Sequence, residues 1–183
     1  MSASSPAFFV LSGGPCSGKT TLLAELAARG HPVVTEAATE LIADPLTRDL
    51  RADPLDFQRR VLERQLENEA RALDAHDGER LVFLDRGVGD GFAYLAHHGL
   101  APFPEILAAW ERVVGRYRAI LFFAQRPDYH AATHRAENAA DARAVHVRLL
   151  TEYRTRHARV IEVPWIPVDE RVDRVIREAE RLL

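Results

Sequence analysis

The chain has 183 residues, 47% hydrophobic and 28% charged, with a net charge of −3. That length suits one domain with a full core; the balance excludes a disordered, collagenous or coiled-coil chain and leaves no global basic footprint for nucleic acid. The longest apolar run, Ala119 to Ala124, falls far short of the ~18 residues a membrane helix needs.

Ala7-Phe8-Phe9-Val10-Leu11 reads as a buried strand running into the tight loop Ser12-Gly13-Gly14-Pro15. Leu22, Leu23, Leu26 and Ala27 recur at helical spacing, and Gly30 stops that helix. Val33-Val34-Thr35 forms a second short strand ending at Glu36, and a short helix follows to Ala43. Pro45 to Asp53 reads as an exposed connection. Pro54 opens a long helix with Leu62, Leu66, Ala70 and Leu73 on one face, and Asp77-Gly78 turns the chain. Leu81 to Leu84 is the third strand, ending at Asp85. Helices over Val88 to His98 and Pro104 to Val114 precede the fourth strand, Ile120 to Phe123. Residues 125–142 read as a loop or broken helix. Val145, Leu149 and Tyr153 then mark a helix to His157. Val160 to Val163 is the fifth strand, and Val172, Val175, Ile176, Ala179 and Leu182 face the core from a last helix.

Strands alternate with helices, and the strands are continuous apolar runs, as in sheets covered on both faces. The expectation is one α/β domain over residues 1–183, a doubly wound three-layer structure on a parallel five-stranded sheet. One cysteine allows neither an internal disulfide nor a cysteine zinc site. No basic residue precedes Lys19, so the start lacks the charged region of a secretory signal. Both points fit a cytoplasmic protein.

Lys19 is the single lysine beside 23 arginines. It stands in Gly13-Gly14-Pro15-Cys16-Ser17-Gly18-Lys19-Thr20, which satisfies G-x-x-x-x-G-K-[ST] after a strand and before a helix. Glycines let such a loop wrap closely around phosphate. Its N–H groups form an anion nest at the positive end of a helix dipole. Lys19 would reach the β- and γ-phosphates of ATP or GTP, the Thr20 hydroxyl would bind Mg²⁺, and Thr21 can reach the α-phosphate. Cys16 reads as a loop residue that binds through its backbone. The expected fold is that of the P-loop nucleoside triphosphate hydrolases and kinases. Asp85, at the tip of a strand facing the crevice where ligands bind in such sheets, is a second Mg²⁺ ligand candidate.

Asp85-Arg86-Gly87-Val88-Gly89-Asp90-Gly91-Phe92-Ala93-Tyr94 resembles the D-R-x-x-x-S-x-x-A-Y stretch of thymidylate kinases and is similar to the E-R-S segment of deoxynucleoside kinases. The resemblance implies that Arg86 contacts the phosphoacceptor side. Asp90 stands where thymidylate kinases have serine. A carboxylate repels phosphate, so an uncharged acceptor with hydroxyls is expected.

Across nearly the whole chain the pattern resembles a family of P-loop ATPases and kinases that includes the ribosylnicotinamide kinase domain of bacterial NAD regulators. That family often carries E-x-x-R where this chain has Glu36 and Thr39. The resemblance implies Glu36 as a base toward the acceptor hydroxyl; a solvated acid at a helix start is the other reading. Glu36 and Lys19 are expected at neighbouring strand tips, facing one crevice. Residues 125–159 hold seven arginines and four acids. Segment 125–142 occupies the lid position of small-molecule kinases, with Arg135 the first candidate to neutralise the transferring phosphoryl group and Arg126 the second. Trp165 sits where related kinases place the base-binding loop; it packs near adenine or is a structural residue.

The expected activity is Mg²⁺-dependent transfer of the ATP γ-phosphoryl to a hydroxyl of a nucleoside-like small molecule. The alternative is a nucleotide-dependent ATPase or GTPase switch, or a binding module, without a phosphoacceptor. A Ras-like switch is excluded, since N-K-x-D cannot occur with one lysine and no D-x-x-G follows the third strand.

Overall fold

The computed structural model describes residues 6–44, 47, 52–75, 81–127 and 139–183. In chain order it contains β1 (Ala7–Ser12), α1 (Lys19–Ala28), β2 (Val33–Val34), α2 (Ala37–Ala43) and α3 (Pro54–Ala75). Then come β3 (Leu81–Asp85), α4 (Val88–His97), α5 (Pro104–Val113), β4 (Tyr117–Phe123), α6 (Ala139–Arg156), β5 (Val160–Val163) and α7 (Val168–Glu180). The Asp77-Gly78 turn and most of the connection at 45–53 lie outside the described residues.

The five strands form one parallel sheet in the order β2-β3-β1-β4-β5. Successive strand residues point to opposite faces, so β1 feeds two cores. Phe9 and Leu11 pack with Leu22 and Leu26 of α1 and Val172 and Val175 of α7. Phe8 and Val10 pack on the other face with Leu62 of α3, Phe92 of α4, Trp110 of α5 and Tyr153 of α6. Layers on both faces explain why the strands read as unbroken apolar runs. Helix α6 lies so close to α4 that a Cβ on Gly89 would come within 2.7 Å of Tyr153 Cζ and 3.0 Å of Trp110 Cζ3.

Two details depart from expectation. Strand β4 starts at Tyr117, three residues early, because the buried Tyr117 side chain has a polar partner, described below. Ala70 is exposed, and the buried face of α3 is Gln58, Leu62, Gln65, Asn68, Glu69 and Ala72. Amides and a carboxylate occupy much of that face, where Gln65, Asn68 and Glu69 Oε1 find hydrogen-bond partners.

Candidate functional site

The loop between β1 and α1 turns back over the tip of the sheet. Gly13 (φ +143°) and Gly18 (φ +80°) hold positive backbone angles, which glycine adopts without a Cβ penalty. Cys16 holds one too, at +56°. Lys19 lies along the loop, its Nζ donating to Gly13 O (2.9 Å), Gly14 O (3.1 Å) and Ser17 Oγ (3.1 Å). Burial lowers its pKa from 10.5 to about 8; Arg86 adds to that, while Asp85, Glu36 and Asp90 pull the other way. Thr20 and Thr21 are exposed on the first turn of α1.

Neighbouring elements brace the loop. Arg171 Nη1 of α7 donates to Ser17 O (3.0 Å) and would stand 2.9 Å from a Cβ on Gly18. The Arg171 guanidinium covers the Trp165 ring at 4.5 Å, and that of Arg126 lies 6.0 Å from the same ring. Trp165 thus stacks with two arginines, one from α7 and one from just beyond the end of β4. Gly14 N–H donates to His146 Nδ1 (3.2 Å), tying α6 to the loop.

At the end of β3, Asp85 is 4% exposed and its Oδ1 has no hydrogen-bond partner among the described residues. Burial raises its pKa, Glu36 and Asp90 add to the rise, and Lys19 and Arg86 oppose it. A buried, orphaned carboxylate oxygen within the electrostatic reach of Lys19 is an acceptor open to a cation or a proton. Among the described residues no three His, Cys, Asp or Glu side chains group to hold a metal by themselves. That suits Mg²⁺, which keeps waters and phosphate oxygens among its ligands.

Arg86, with φ +70°, is pinned on two sides. Its Nε meets Glu36 Oε1 at 2.7 Å, and its Nη1 meets Asp90 Oδ1 at 2.8 Å and lies 3.5 Å from Gly13 O. Burial works against ionisation of Glu36, but Arg86, the Thr39 hydroxyl (2.7 Å) and Lys19 prevail and lower its pKa from 4.5 to about 2. Thr39, standing where an arginine was expected, holds the carboxylate in place.

The expectation of neighbouring strand tips for Glu36 and Lys19 is corrected: β3 separates β2 from β1. Arg86, at the tip of β3, spans the gap between them. The reading of Asp90 is corrected as well. Its Oδ1 accepts from Ser12 Oγ (2.9 Å) and Arg86, and its Oδ2 from Gly87 N–H (3.0 Å) and Tyr153 OH (2.6 Å). Asp90 is a fully bonded hub and does not select the acceptor through a free charge.

The residues of α3 escaped the sequence reading. Gln65 Nε2 donates to Glu69 Oε1 (3.0 Å) and lies 3.4 Å from Arg86 O. Tyr117 OH donates to Glu69 Oε1 (2.6 Å) and accepts from Val88 N–H (3.1 Å). Together they brace the turn that carries Arg86. The signal was present: Gln58, Leu62, Gln65, Glu69 and Ala72 alternate at spacings of four and three, one stripe of a helix. Arg135 lies outside the described residues, as does most of the segment around it.

A cavity of about 560 Å³ is lined mainly from α2, α3 and α4, with Glu36, Arg86 and Asp90 among its lining residues.

The fold matches thymidylate kinase from Candida albicans with a TM-score of 0.68 at 14% identity, covering 99% of this chain and 93% of that one. Thymidylate kinase from Ehrlichia chaffeensis gives 0.62 at 14% identity, covering 96% and 99%. The NadR protein, solved in complex with NR, gives 0.70 at 18% identity; 96% of this chain covers 52% of that one. No curated protein matches the chain in sequence. The model of a family described as an AAA domain (AAA_28) matches residues 8–171. With the P-loop and the β2-β3-β1-β4-β5 sheet in place, the chain belongs to this AAA domain family and has the kinase-like P-loop fold.

Proposed function

We propose that the protein is a Mg²⁺-dependent kinase that moves the γ-phosphoryl of ATP onto a hydroxyl of a nucleoside-like small molecule. The observation that carries this reading is the cavity of about 560 Å³, with the ionised Glu36 on its wall beside Arg86. A nucleotide switch has no use for such a chamber. Among the described residues lining it, Arg86 is the only arginine or lysine, and two carboxylates already hold it. That favours an uncharged acceptor over a phosphorylated one.

Phosphoryl transfer asks the protein for positioning and charge neutralisation. Lys19 exchanges its loop carbonyls for phosphate oxygens. Thr20 and Asp85 would hold Mg²⁺, which would supply charge neutralisation at the phosphates. Glu36 accepts a hydrogen bond from the acceptor hydroxyl and orients its oxygen toward the γ-phosphorus. The bond from that oxygen to phosphorus forms, the bond to the β-phosphate oxygen breaks, and the proton leaves through Glu36 to solvent. A carboxylate with a pKa near 2 is a weak base, which suffices for a loose transition state that needs little prior deprotonation. Arg135 is assigned to the lid over the transferring group.

A transfer screen tests the reading directly. Mg·ATP and Mg·GTP are offered with a panel of nucleosides, and products are read by mass spectrometry. One phosphorylated nucleoside supports the kinase; nucleotide binding with slow hydrolysis and no product from any acceptor supports the switch. Asp85→Asn is expected to reduce turnover ~10²-fold or more while nucleotide affinity changes little, because metal placement matters most in the transition state. Near wild-type turnover at saturating Mg·ATP would make Asp85 a structural residue.

A further inference from the structure

The motif G-x-x-x-x-G-K-[ST] asks for glycine at positions 13 and 18 and leaves position 14 free, yet position 14 is glycine too. Packing explains it. A Cβ on Gly14 would stand 2.8 Å from His146 Cβ and 3.2 Å from His146 Nδ1. The bare glycine lets the imidazole close on the loop backbone, where Nδ1 accepts the Gly14 N–H. His146 stands on α6 beside the buried stripe of Ala142, Val145 and Leu149, its ring 4.9 Å from that of Phe122. Gln125, also against Gly14, directs its Nε2 to Ala142 O (3.1 Å), so the imidazole is what meets the Gly14 N–H.

This bond bears on the lysine. A trans peptide is planar, so the Gly14 N–H and the Gly13 carbonyl belong to one rigid unit and point in opposite directions. The Gly13 oxygen accepts from Lys19 Nζ at 2.9 Å and lies 3.5 Å from Arg86 Nη1. His146 therefore grips the far edge of the peptide whose near edge holds the lysine. With the N–H fixed, the carbonyl stays turned to Lys19. With the N–H unpaired, this peptide rotates easily, because neither flanking glycine has a Cβ to resist the turn. The ammonium then loses one of the partners that set its position.

We propose that His146 is a positioning residue for nucleotide binding: its neutral imidazole fixes the Gly13–Gly14 peptide, and through it Lys19, in the orientation that receives the phosphates. A neutral ring that accepts at Nδ1 carries its proton on Nε2. Protonation of Nδ1 removes the acceptor and sets two donors face to face, so the peptide is held only while the ring is neutral. The surroundings favour that form. Burial lowers the pKa of His146 from the usual 6.5 and Lys19 of α1 adds to the fall, while Glu162 of β5 opposes it. Arg143, three residues earlier on α6, is a further cation, and Phe122 and Gln125 carry no charge. The assignment rests on the nucleotide-binding half of the kinase reading and needs no phosphoacceptor.

Two variants test it by calorimetric titration with Mg·ATP. His146→Asn keeps a side-chain oxygen near the place of Nδ1 and does not titrate; His146→Leu has no acceptor. At neutral pH His146→Leu is expected to bind ~10-fold more weakly than wild type, the cost of leaving a buried N–H unpaired, and His146→Asn to recover most of that loss. From pH ~7.5 to ~5 wild type is expected to lose affinity ~5-fold relative to His146→Asn; protonation of the nucleotide is common to both and cancels. In the ligand-free protein, NMR of the ring nitrogens is expected to show a neutral imidazole protonated at Nε2. A neutral ring protonated at Nδ1, full affinity in His146→Leu, an asparagine variant as weak as the leucine one, or a ratio that does not move with pH would each overturn the assignment. If His146→Leu does not fold, the asparagine comparison and the ring nitrogens decide. The expected pH difference with no phosphorylated product from any acceptor leaves His146 standing and ends the kinase reading; product with a flat ratio does the reverse.

Discussion

Replacing Lys19 with alanine is expected to abolish Mg·nucleotide binding, a loss of ~10²-fold or more in affinity, without lowering the melting temperature of the ligand-free protein. The fold carries this cation at a cost: its pKa falls from 10.5 to about 8, chiefly through burial, equivalent to about 3 kcal/mol. The sign follows from proton linkage. The folded pKa lies below the unfolded one, so the unfolded chain binds more protons between pH 8 and 10.5, and stability rises with pH across that window. Below about 8 the penalty stands in full. Alanine removes both the penalty and its pH dependence. A bound triphosphate gives the ammonium an anionic partner, so nucleotide binding above pH 8 is expected to take up protons. Titrations in buffers of different ionisation enthalpy measure that uptake. Lys19→Arg is expected to bind weakly as well, because a planar guanidinium does not replace a compact ammonium in the loop. Unchanged affinity in Lys19→Ala would remove the loop from nucleotide binding.

Glu36→Gln is expected to slow phosphoryl transfer by ~10²–10⁴-fold, the range found when a positioned acid or base is removed. Nucleotide affinity should barely move, because Glu36 faces the acceptor cavity. The variant keeps the shape of the side chain and leaves Arg86 with one carboxylate partner, Asp90, in place of two. The pH behaviour separates this role from a merely structural one. With a pKa held from 4.5 down to about 2, Glu36 is ionised throughout the mildly acidic range, so transfer is expected to show no acid limb from this group there. Its contribution to stability is present above 4.5 and is lost as pH falls toward about 2. The measurements are initial rates of product formation beside nucleotide titrations of the same variant. Loss of nucleotide affinity equal to the loss of rate would place Glu36 on the nucleotide side and end its role toward the acceptor.

The local order of the chain determined the phosphate loop and most elements. Glycines at positive φ, the lone lysine and an apolar run before a helical stripe are contiguous signals. Each acts over a few residues, and Gly13 to Thr20 fold as those types dictate. Asp85 and Arg86 were legible for the same reason, standing at the end of an apolar run. Tertiary structure alone decided which residues gather around Arg86 and the cavity. Glu36 and Arg86 are 50 residues apart, Asp90 and Tyr153 63, Ser12 and Asp90 78. No periodicity encodes those pairings, which arise only when β3 inserts between β2 and β1. Asp90, read from its neighbours, looked like a free charge turned to a substrate; packing gave it four partners. The stripe on α3 was hidden because burial was sought in apolar residues, and Gln58, Gln65 and Glu69 are polar. Gln65 and Glu69 are buried because helix, strand and turn converge there and present the Arg86 carbonyl and the Tyr117 hydroxyl to them, and Gln58 because it lies on the cavity lining.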